Sequence, residues 1–324
     1  MNNNLSKIAE VIKQARSILI TAHVFPDGDS IGSVLGLGLA LESFGKKVSM
    51  VMQDKVPQMY LFLKGSEKII TPQEISAQPD LIVFLDCGDI SRAGEDWIDS
   101  LVRDRTVINI DHHVSNEYFG TLNYVDAHAA ATAEIIYSLL SELDCSLTKE
   151  VASALYTGIV MDTGSFQYQN TTPGTLKIAA SLLENGVDLS AIREYLYQNK
   201  SIKNLRLIAA AIENLNFAAG GKIAWTYLDY KTMEKYQALS EHSEGIVNYP
   251  ISLENVEIGL LFRETENGTV KVGLRSRARF DVNRIALLFG GGGHQQAAGC
   301  TLAGPLEEAI KQVIGKTLSI MEEE

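Results

Sequence analysis

The chain has 324 residues, 46% hydrophobic and 21% charged, a globular composition long enough for two domains and too apolar for extended disorder. Its 28 basic against 40 acidic residues leave a net charge of −12, which would repel the backbone of a long duplex and restricts any nucleic-acid substrate to a short one. Three scattered cysteines exclude a disulfide framework or a zinc cluster, and no run has the length and apolarity of a signal-peptide core or a membrane span. A reducing cytoplasm is therefore the expected home, with neither a membrane nor a long duplex as partner.

Leu5, Ile8, Val11 and Ile12 recur at helical spacing in the first sixteen residues. After them, apolar runs rich in β-branched residues alternate with helical patterns. Ser17 to Ala22, Lys47 to Met52, Leu81 to Leu85 and Val107 to Ile110 read as strands, and Ile31 to Phe44 as the helix after the first. Near-continuous apolar strands separated by helices predict a parallel sheet covered on both faces. Ala127 to Leu143, Lys149 to Val160 and Thr175 to Glu184 read as further helices, stopped by Asn185-Gly186. Leu189 to Leu215 reads as a linking helix. Strand-like alternation returns in Lys222 to Leu228, Val256 to Arg263 and Thr269 to Leu274, with a hairpin signal at Asn267-Gly268. Val282 to Phe289 reads as a helix, and Pro305 to Met321 closes the chain as an amphipathic one. The expected architecture is α/β: a parallel-sheet domain over 1–186, a helical linker over 187–215 and a smaller α/β domain over 216–324.

Ligands of open α/β sheets bind beyond the carboxyl ends of the strands, and the acidic clusters of this chain fall there. The first, His23-Val24-Phe25-Pro26-Asp27-Gly28-Asp29-Ser30, follows the first strand and offers one imidazole and two carboxylates. Carboxylates so close repel unless a cation neutralises them, and such ligands suit Mn²⁺ or Mg²⁺, the histidine favouring Mn²⁺. The competing reading is a helix cap by Asp29 with His23 hydrogen-bonded in the core. The second cluster ends a strand on Asp86, followed by Cys87, which reads as a buried filler, and Asp89, which reads as a cap. The third is Asp111-His112-His113. Neighbouring side chains of an extended segment diverge, so one histidine can be a ligand and the other a phosphate contact or proton donor, with Asp111 orienting an imidazole from behind. Asp162, after a helical apolar stretch, either completes the cage or is a turn residue. Finally, Gly290 to Gly293 precede His294, with Arg275 and Ser276 upstream. Glycines let a backbone approach an anion, and the arginine fork suits phosphate; a linker and surface charge are the plain alternatives.

Taken in this order, the five groups resemble the DHH phosphoesterase superfamily, named for the tripeptide found at Asp111-His112-His113. Asn123 to Val125 leading into Ala131-Thr132-Ala133-Glu134, Asp162-Thr163-Gly164, Asn170-Thr171-Thr172-Pro173 and the Gly290 to His294 segment narrow the resemblance to the nanoRNase and pAp phosphatase branch. The resemblance covers nearly the whole chain. It implies two divalent cations, one held by His23, Asp27 and Asp86, the other by Asp29, Asp86, His112 and Asp162, with Asp86 shared. It also implies catalytic roles for Asp86, Asp111 and His113, the last touching the scissile phosphate. Arg275, Ser276, Gly291, Gly292, Gly293 and His294 would hold the terminal nucleotide, with the active site in the cleft between domains. Gln167 stands where many relatives carry a basic residue. The expected activity is hydrolysis of short oligoribonucleotides to mononucleotides, of 3′-phosphoadenosine 5′-phosphate to AMP, or both. Rival readings are a cyclic or linear dinucleotide phosphodiesterase, a family II pyrophosphatase and, in another class, a nucleotide sensor without catalysis. All the expected ligand positions carry competent side chains, which disfavours the sensor. A homodimer is left open.

Overall fold

A computed structural model describes residues 2–76, 78–277 and 280–323. The chain divides into two compact units, Met1–Asn199 and Lys200–Glu324.

Unit 1 opens with helix α1 (Leu5–Gln14), strand β1 (Ser17–Thr21), α2 (Gly28–Ser43), β2 (Lys47–Met50), β3 (Leu81–Leu85), α3 (Glu95–Val102), β4 (Thr106–Asp111) and β5 (Leu122–Val125). It continues with α4 (Thr132–Glu142), α5 (Lys149–Asp162), α6 (Pro173–Glu184) and α7 (Leu189–Arg193). The five strands are all parallel, in the order β2-β1-β3-β4-β5. Alternation sorts their side chains between two cores. Ile18, Ile20, Leu81, Val83, Leu85, Ile108 and Ile110 pack with α1, α2, α4 and α5. Leu19, Ile82, Phe84 and Val107 point the other way, onto Ile98 and Leu101 of α3. The sheet is thus buried on both faces, as its near-continuous apolar strands predict.

Helix α2 begins at Gly28 rather than Ile31 because its cap is Asp27, not Asp29. The Asp27 Oδ1 accepts the N–H groups of Asp29 and Ser30 at 3.1 and 3.0 Å, and Ser30 Oγ accepts the Asp27 N–H at 2.9 Å. This places Asp29 in the first turn, facing inward. Helices α2 and α5 cross closely over glycine: a Cβ on Gly32 would lie 2.4 Å from the Ala154 carbonyl oxygen, and one on Gly158 would lie 2.9 Å from Asp29 Oδ1.

The segment Leu189 to Leu215, read as one helix, is three pieces. After α7, Glu194–Gln198 form a π-helical turn; Ser201 then caps α8 (Ile202–Glu213), its side chain accepting the Asn204 N–H at 3.1 Å. Unit 2 begins with α8 and continues through β6 (Asn216–Ala218), β7 (Ile223–Leu228), α9 (Tyr230–Lys235), α10 (Asn248–Ser252), β8 (Ile258–Glu264) and β9 (Thr269–Ser276). It ends with α11 (Val282–Leu287), β10 (Gly292–His294), β11 (Ala297–Ala303) and α12 (Leu306–Glu323). Its sheet runs β10-β11-β9-β8-β7-β6; β7 and β8 are parallel and the other pairs antiparallel. Asn267-Gly268 turns the β8–β9 hairpin, with Gly268 at φ +73°. One apolar cluster joins the sheet to α11 and α12, and another joins it to α8 and Met233 of α9. Among the described residues no helix is long and apolar enough to cross a membrane.

Candidate metal centre

The carboxyl ends of β1, β3 and β4 bring three loops together where the strand order reverses between β1 and β3, the expected place for a site in such a sheet. The loop after β1 supplies His23 and Asp27, the first turn of α2 supplies Asp29, β3 runs into Asp86, and β4 ends on Asp111 with His112 and His113 behind it. Asp162, the last residue of α5, closes the ring. Asp86 has a positive φ of +57°, a conformation aspartate tolerates better than most residues, and it turns the chain back at the strand end.

The geometry centres on Asp86. Its Oδ2 lies 3.3 Å from His23 Nε2, which is 3.7 Å from Asp27 Oδ1. Its Oδ1 lies 3.6 Å from both His112 Nε2 and His113 Nδ1. His112 Nε2 in turn is 3.1 Å from Asp162 Oδ2 and 3.8 Å from Asp29 Oδ2. Three donor sets result, each compact enough for one cation: His23 with Asp27 and Asp86, Asp29 with His112 and Asp162, and Asp86 with His112 and His113. The side chains of Asp29 and Asp86 are buried.

Electrostatics describe a site built for added positive charge. Burial, then the carboxylates of Asp86 and Asp162, push the Asp29 carboxyl well above the usual range. Burial works against protonation of His23 and His112, yet the carboxylates outweigh it: Asp27 and Asp86 for the first, Asp162, Asp86 and Asp29 for the second. Both imidazoles end well above their ordinary value. Burial also opposes ionisation of Asp86, but His23 and His113 hold it below the usual carboxylate range. The clustered carboxylates thus favour positive charge among them. A divalent cation with oxygen and imidazole ligands would supply that charge, so the residues present fit it.

Supporting contacts fix each ligand. The two Asp29 oxygens accept the N–H groups of Thr132 and Ala133 at 2.6 and 2.9 Å, where α4 has no side-chain cap of its own. Thr132 Oγ1 donates to Asp86 Oδ1 at 3.1 Å. His23 Nδ1 is 2.8 Å from the Val24 carbonyl oxygen and His112 Nδ1 is 3.2 Å from that of Ala129, so both turn Nε2 toward the carboxylates. Asp111 serves His113: its Oδ1 is 2.7 Å from His113 Nδ1 and accepts the His112 N–H at 2.8 Å, while Oδ2 accepts Asn116 Nδ2 at 2.6 Å. Asn170 Nδ2 donates to the carbonyls of Ala130 and Asp162, both at 3.0 Å, tying the approach to α4 to the end of α5.

The structure thus assembles His23, Asp27, Asp29, Asp86, Asp111, His112, His113 and Asp162 at one place. Asp27, not the expected Asp29, caps α2, and it faces His23 at the same time, so capping does not exclude a ligand role for it. Asp89 caps a short turn through the Arg92 N–H at 3.2 Å, and Cys87 is buried filler. Sequence reasoning quoted Thr132 only within a motif, without a role, and missed Asn116 and Ser33, whose Oγ donates to Asp29 Oδ1 at 3.3 Å. Only Ser33 carried a local signal, its spacing of one helical turn from Asp29.

In unit 2, Gly292–His294 form strand β10 against β11 rather than a loop. A Cβ on Gly291 would lie 2.1 Å from the Gly299 carbonyl oxygen, and one on Gly293 would lie 2.5 Å from that of Ala297; at Gly292 it would meet nothing. Close strand packing therefore accounts for two of these glycines. Ser276 Oγ donates to the Phe280 carbonyl at 2.6 Å, and half-buried Arg275 donates from Nη1 to the Leu274 carbonyl at 2.9 Å. The His294 side chain lies outside the described residues.

Comparison with known proteins agrees with this arrangement. Residues 17–159 match the model of the DHH family, N-terminal domain, and residues 220–322 match that of the DHHA1 domain. The chain is 37% identical to the bifunctional oligoribonuclease and PAP phosphatase NrnA of Thermus thermophilus, over 95% of this chain and 91% of that one. It is 27% identical to the protein of the same name in Bacillus subtilis, over 92% and 93%. A crystal structure of an exopolyphosphatase-related protein from Bacteroides fragilis superposes with a TM-score of 0.88 at 30% identity, covering 97% of this chain and 95% of that one. The chain therefore belongs to the DHH family, carries a DHHA1 domain as its second unit, and falls on the branch that holds the NrnA proteins.

Proposed function

We propose that this protein is a metal-dependent phosphoesterase that hydrolyses short oligoribonucleotides to mononucleotides and 3′-phosphoadenosine 5′-phosphate to AMP. The observation that carries the reading is the placement of Asp86, whose two oxygens face different groups: Oδ2 toward His23 at 3.3 Å, Oδ1 toward His112 and His113 at 3.6 Å. A carboxylate so placed suits a ligand shared by two cations. One set would be His23, Asp27 and Asp86, the other Asp29, Asp86, His112 and Asp162, with Mn²⁺ favoured over Mg²⁺ by the imidazoles.

When bound, such cations supply charge for the phosphoryl oxygens and acidify water, the nucleophile in ester hydrolysis. The chain's own residues do the rest. Burial opposes protonation of His113, but the Asp111 carboxylate outweighs it and raises the imidazole above its ordinary value, which suits His113 to donate to an anionic phosphate. Asp111 is held in turn by Asn116, and Thr132 holds Asp86. Water adds to phosphorus, the ester P–O bond breaks and the leaving oxygen takes a proton. In unit 2, Arg275, Ser276, Gly291, Gly292, Gly293 and His294 are proposed to hold a nucleotide. Ser276 Oγ and Arg275 Nη1 already donate to backbone carbonyls, so a nucleotide held here would compete with or add to those bonds.

The test is Mn²⁺-dependent product release from an RNA dinucleotide, a longer RNA, 3′-phosphoadenosine 5′-phosphate, linear and cyclic di-adenylate, and pyrophosphate. Mononucleotides from the dinucleotide and AMP from the bisphosphate are expected. Preferential cleavage of cyclic di-adenylate or of pyrophosphate would replace the reading, and nucleotide binding without any turnover would make the protein a sensor.

A further inference from the structure

The imidazole of His112 is oriented by a carbonyl 17 residues further along the chain. Its Nδ1 is 3.2 Å from the Ala129 oxygen, and a carbonyl only accepts, so Nδ1 carries a proton and Nε2 faces the carboxylates of Asp86 and Asp162. The aim of this candidate ligand therefore depends on where the turn before α4 places one oxygen atom. From Ala129 to Ala131 that turn has only methyl side chains and cannot hold itself.

Glu134 holds the other end of the same peptide group. The Ala130 N–H donates to Glu134 Oε2 at 3.0 Å, and Thr175 Oγ1, buried in the first turn of α6, donates to the same oxygen at 3.1 Å. On the next peptide, the Ala130 carbonyl accepts Asn170 Nδ2 at 3.0 Å. The Ala129–Ala130 peptide thus lies between a carboxylate on its N–H and an imidazole N–H on its C=O. A charged acceptor on the N–H polarises the peptide and makes its carbonyl a stronger acceptor for His112.

Helix capping does not explain the contact. In a capping box, a glutamate three residues into the helix reaches the N–H of the cap residue, which in α4 is Ala131. Glu134 reaches one residue earlier, to Ala130, and Asp29 already takes the N–H groups of Thr132 and Ala133.

Resting on the function proposed above, we infer that Glu134 is a positioning residue for His112, acting through the Ala129–Ala130 peptide. Its carboxylate aims the imidazole and strengthens it as a metal ligand without itself touching the metal.

The experiment titrates Mn²⁺ into the full chain and into Glu134→Gln, with the Tm of both metal-free proteins measured alongside. Glutamine keeps an acceptor for the Ala130 N–H and the Thr175 hydroxyl and lacks only the charge, so a purely structural role leaves both readouts unmoved. Expected are an unchanged metal-free Tm and about ten-fold weaker binding of one Mn²⁺. Equal Mn²⁺ affinity in Glu134→Gln overturns the inference and makes Glu134 a structural residue. The second readout is the His112 Nδ1–H proton in metal-free protein carrying ¹⁵N-labelled histidine, assigned by its absence in His112→Ala. It is expected to move upfield in Glu134→Gln as the bond to Ala129 weakens; an unmoved resonance overturns the inference whatever the Tm does. If the unaltered protein binds no Mn²⁺, the proposed function fails, and this resonance alone decides whether Glu134 positions His112.

Discussion

Asp29, in the first turn of α2, accepts the backbone N–H of Thr132 at 2.6 Å and so caps a helix more than a hundred residues away in the chain. The same carboxylate faces His112 Nε2 at 3.8 Å. One side chain therefore fastens α4 to α2 and faces the candidate metal centre. Its cost in the metal-free protein is repulsion from Asp86 and Asp162; its gain is the two N–H groups at the positive end of α4.

Substitutions at Asp29 should separate these roles. Asp29→Ala removes the cap and should cost the metal-free protein about 1 kcal/mol. Asp29→Asn keeps one of the two acceptors and removes a buried charge, so it should cost the metal-free protein less than Asp29→Ala. Both variants should lose most of the thermal shift that Mn²⁺ confers. Thermal unfolding with and without Mn²⁺ checks this, and a full shift in Asp29→Asn would remove Asp29 from the ligand set.

The histidine shifts give a pH dependence with a definite sign. His23 and His112 have raised pKa values in the metal-free fold, so their stabilising contribution is complete below the unfolded value near 6.5 and is lost as pH rises through the folded one. Metal binding needs both imidazoles neutral. Raising the pH should therefore weaken the metal-free protein while strengthening Mn²⁺ affinity, so the Mn²⁺-induced rise in Tm should grow from pH 6 to pH 8. Calorimetry in buffers of different ionisation enthalpy should show proton release on binding.

Asp111 touches His113 but lies in none of the compact donor sets. Asp111→Asn should cut kcat by roughly 10- to 100-fold, the usual range for a residue that orients another, with Mn²⁺ stoichiometry unchanged. Asn116→Ala should act in the same direction and more weakly. Loss of bound metal in Asp111→Asn would place Asp111 among the ligands instead.

The close crossing of α2 and α5 predicts a stability effect. Gly32→Ala sets a methyl group 2.4 Å from the Ala154 carbonyl oxygen, which no rotamer relieves, and should destabilise unit 1 by about 1–3 kcal/mol in urea unfolding. Gly158→Ala meets Asp29 Oδ1 at 2.9 Å and should reduce activity as well as stability.

Much of the candidate site was legible in the sequence because its candidate ligands stand at the ends of apolar strands, where periodicity alone placed Asp86 and Asp111, and because the helix after His23 starts on an aspartate. Which carboxylate caps that helix was not legible: Asp27 and Asp29 are both good caps, and only packing against α4 turns Asp29 inward. Thr132 and Asn116 were missed as partners of Asp86 and Asp111 because those contacts span 46 and 5 residues and leave no local pattern. Strand β10 was missed because glycine disfavours strands; β11 packs so closely that Gly291 and Gly293 have no room for a side chain. The 189–215 helix was over-extended because apolar spacing continues across Asn199 to Ser201, where the Ser201 cap starts a new helix.

The most direct test of the shared-ligand account is Mn²⁺ stoichiometry and dinucleotide turnover in Asp86→Asn, since asparagine tolerates the positive φ of this position and should preserve the fold. The account predicts two Mn²⁺ per chain in the unaltered protein. In the variant it predicts loss of tight binding at one site or both, with turnover abolished even in excess Mn²⁺. A folded Asp86→Asn protein that kept both ions and full turnover would contradict it.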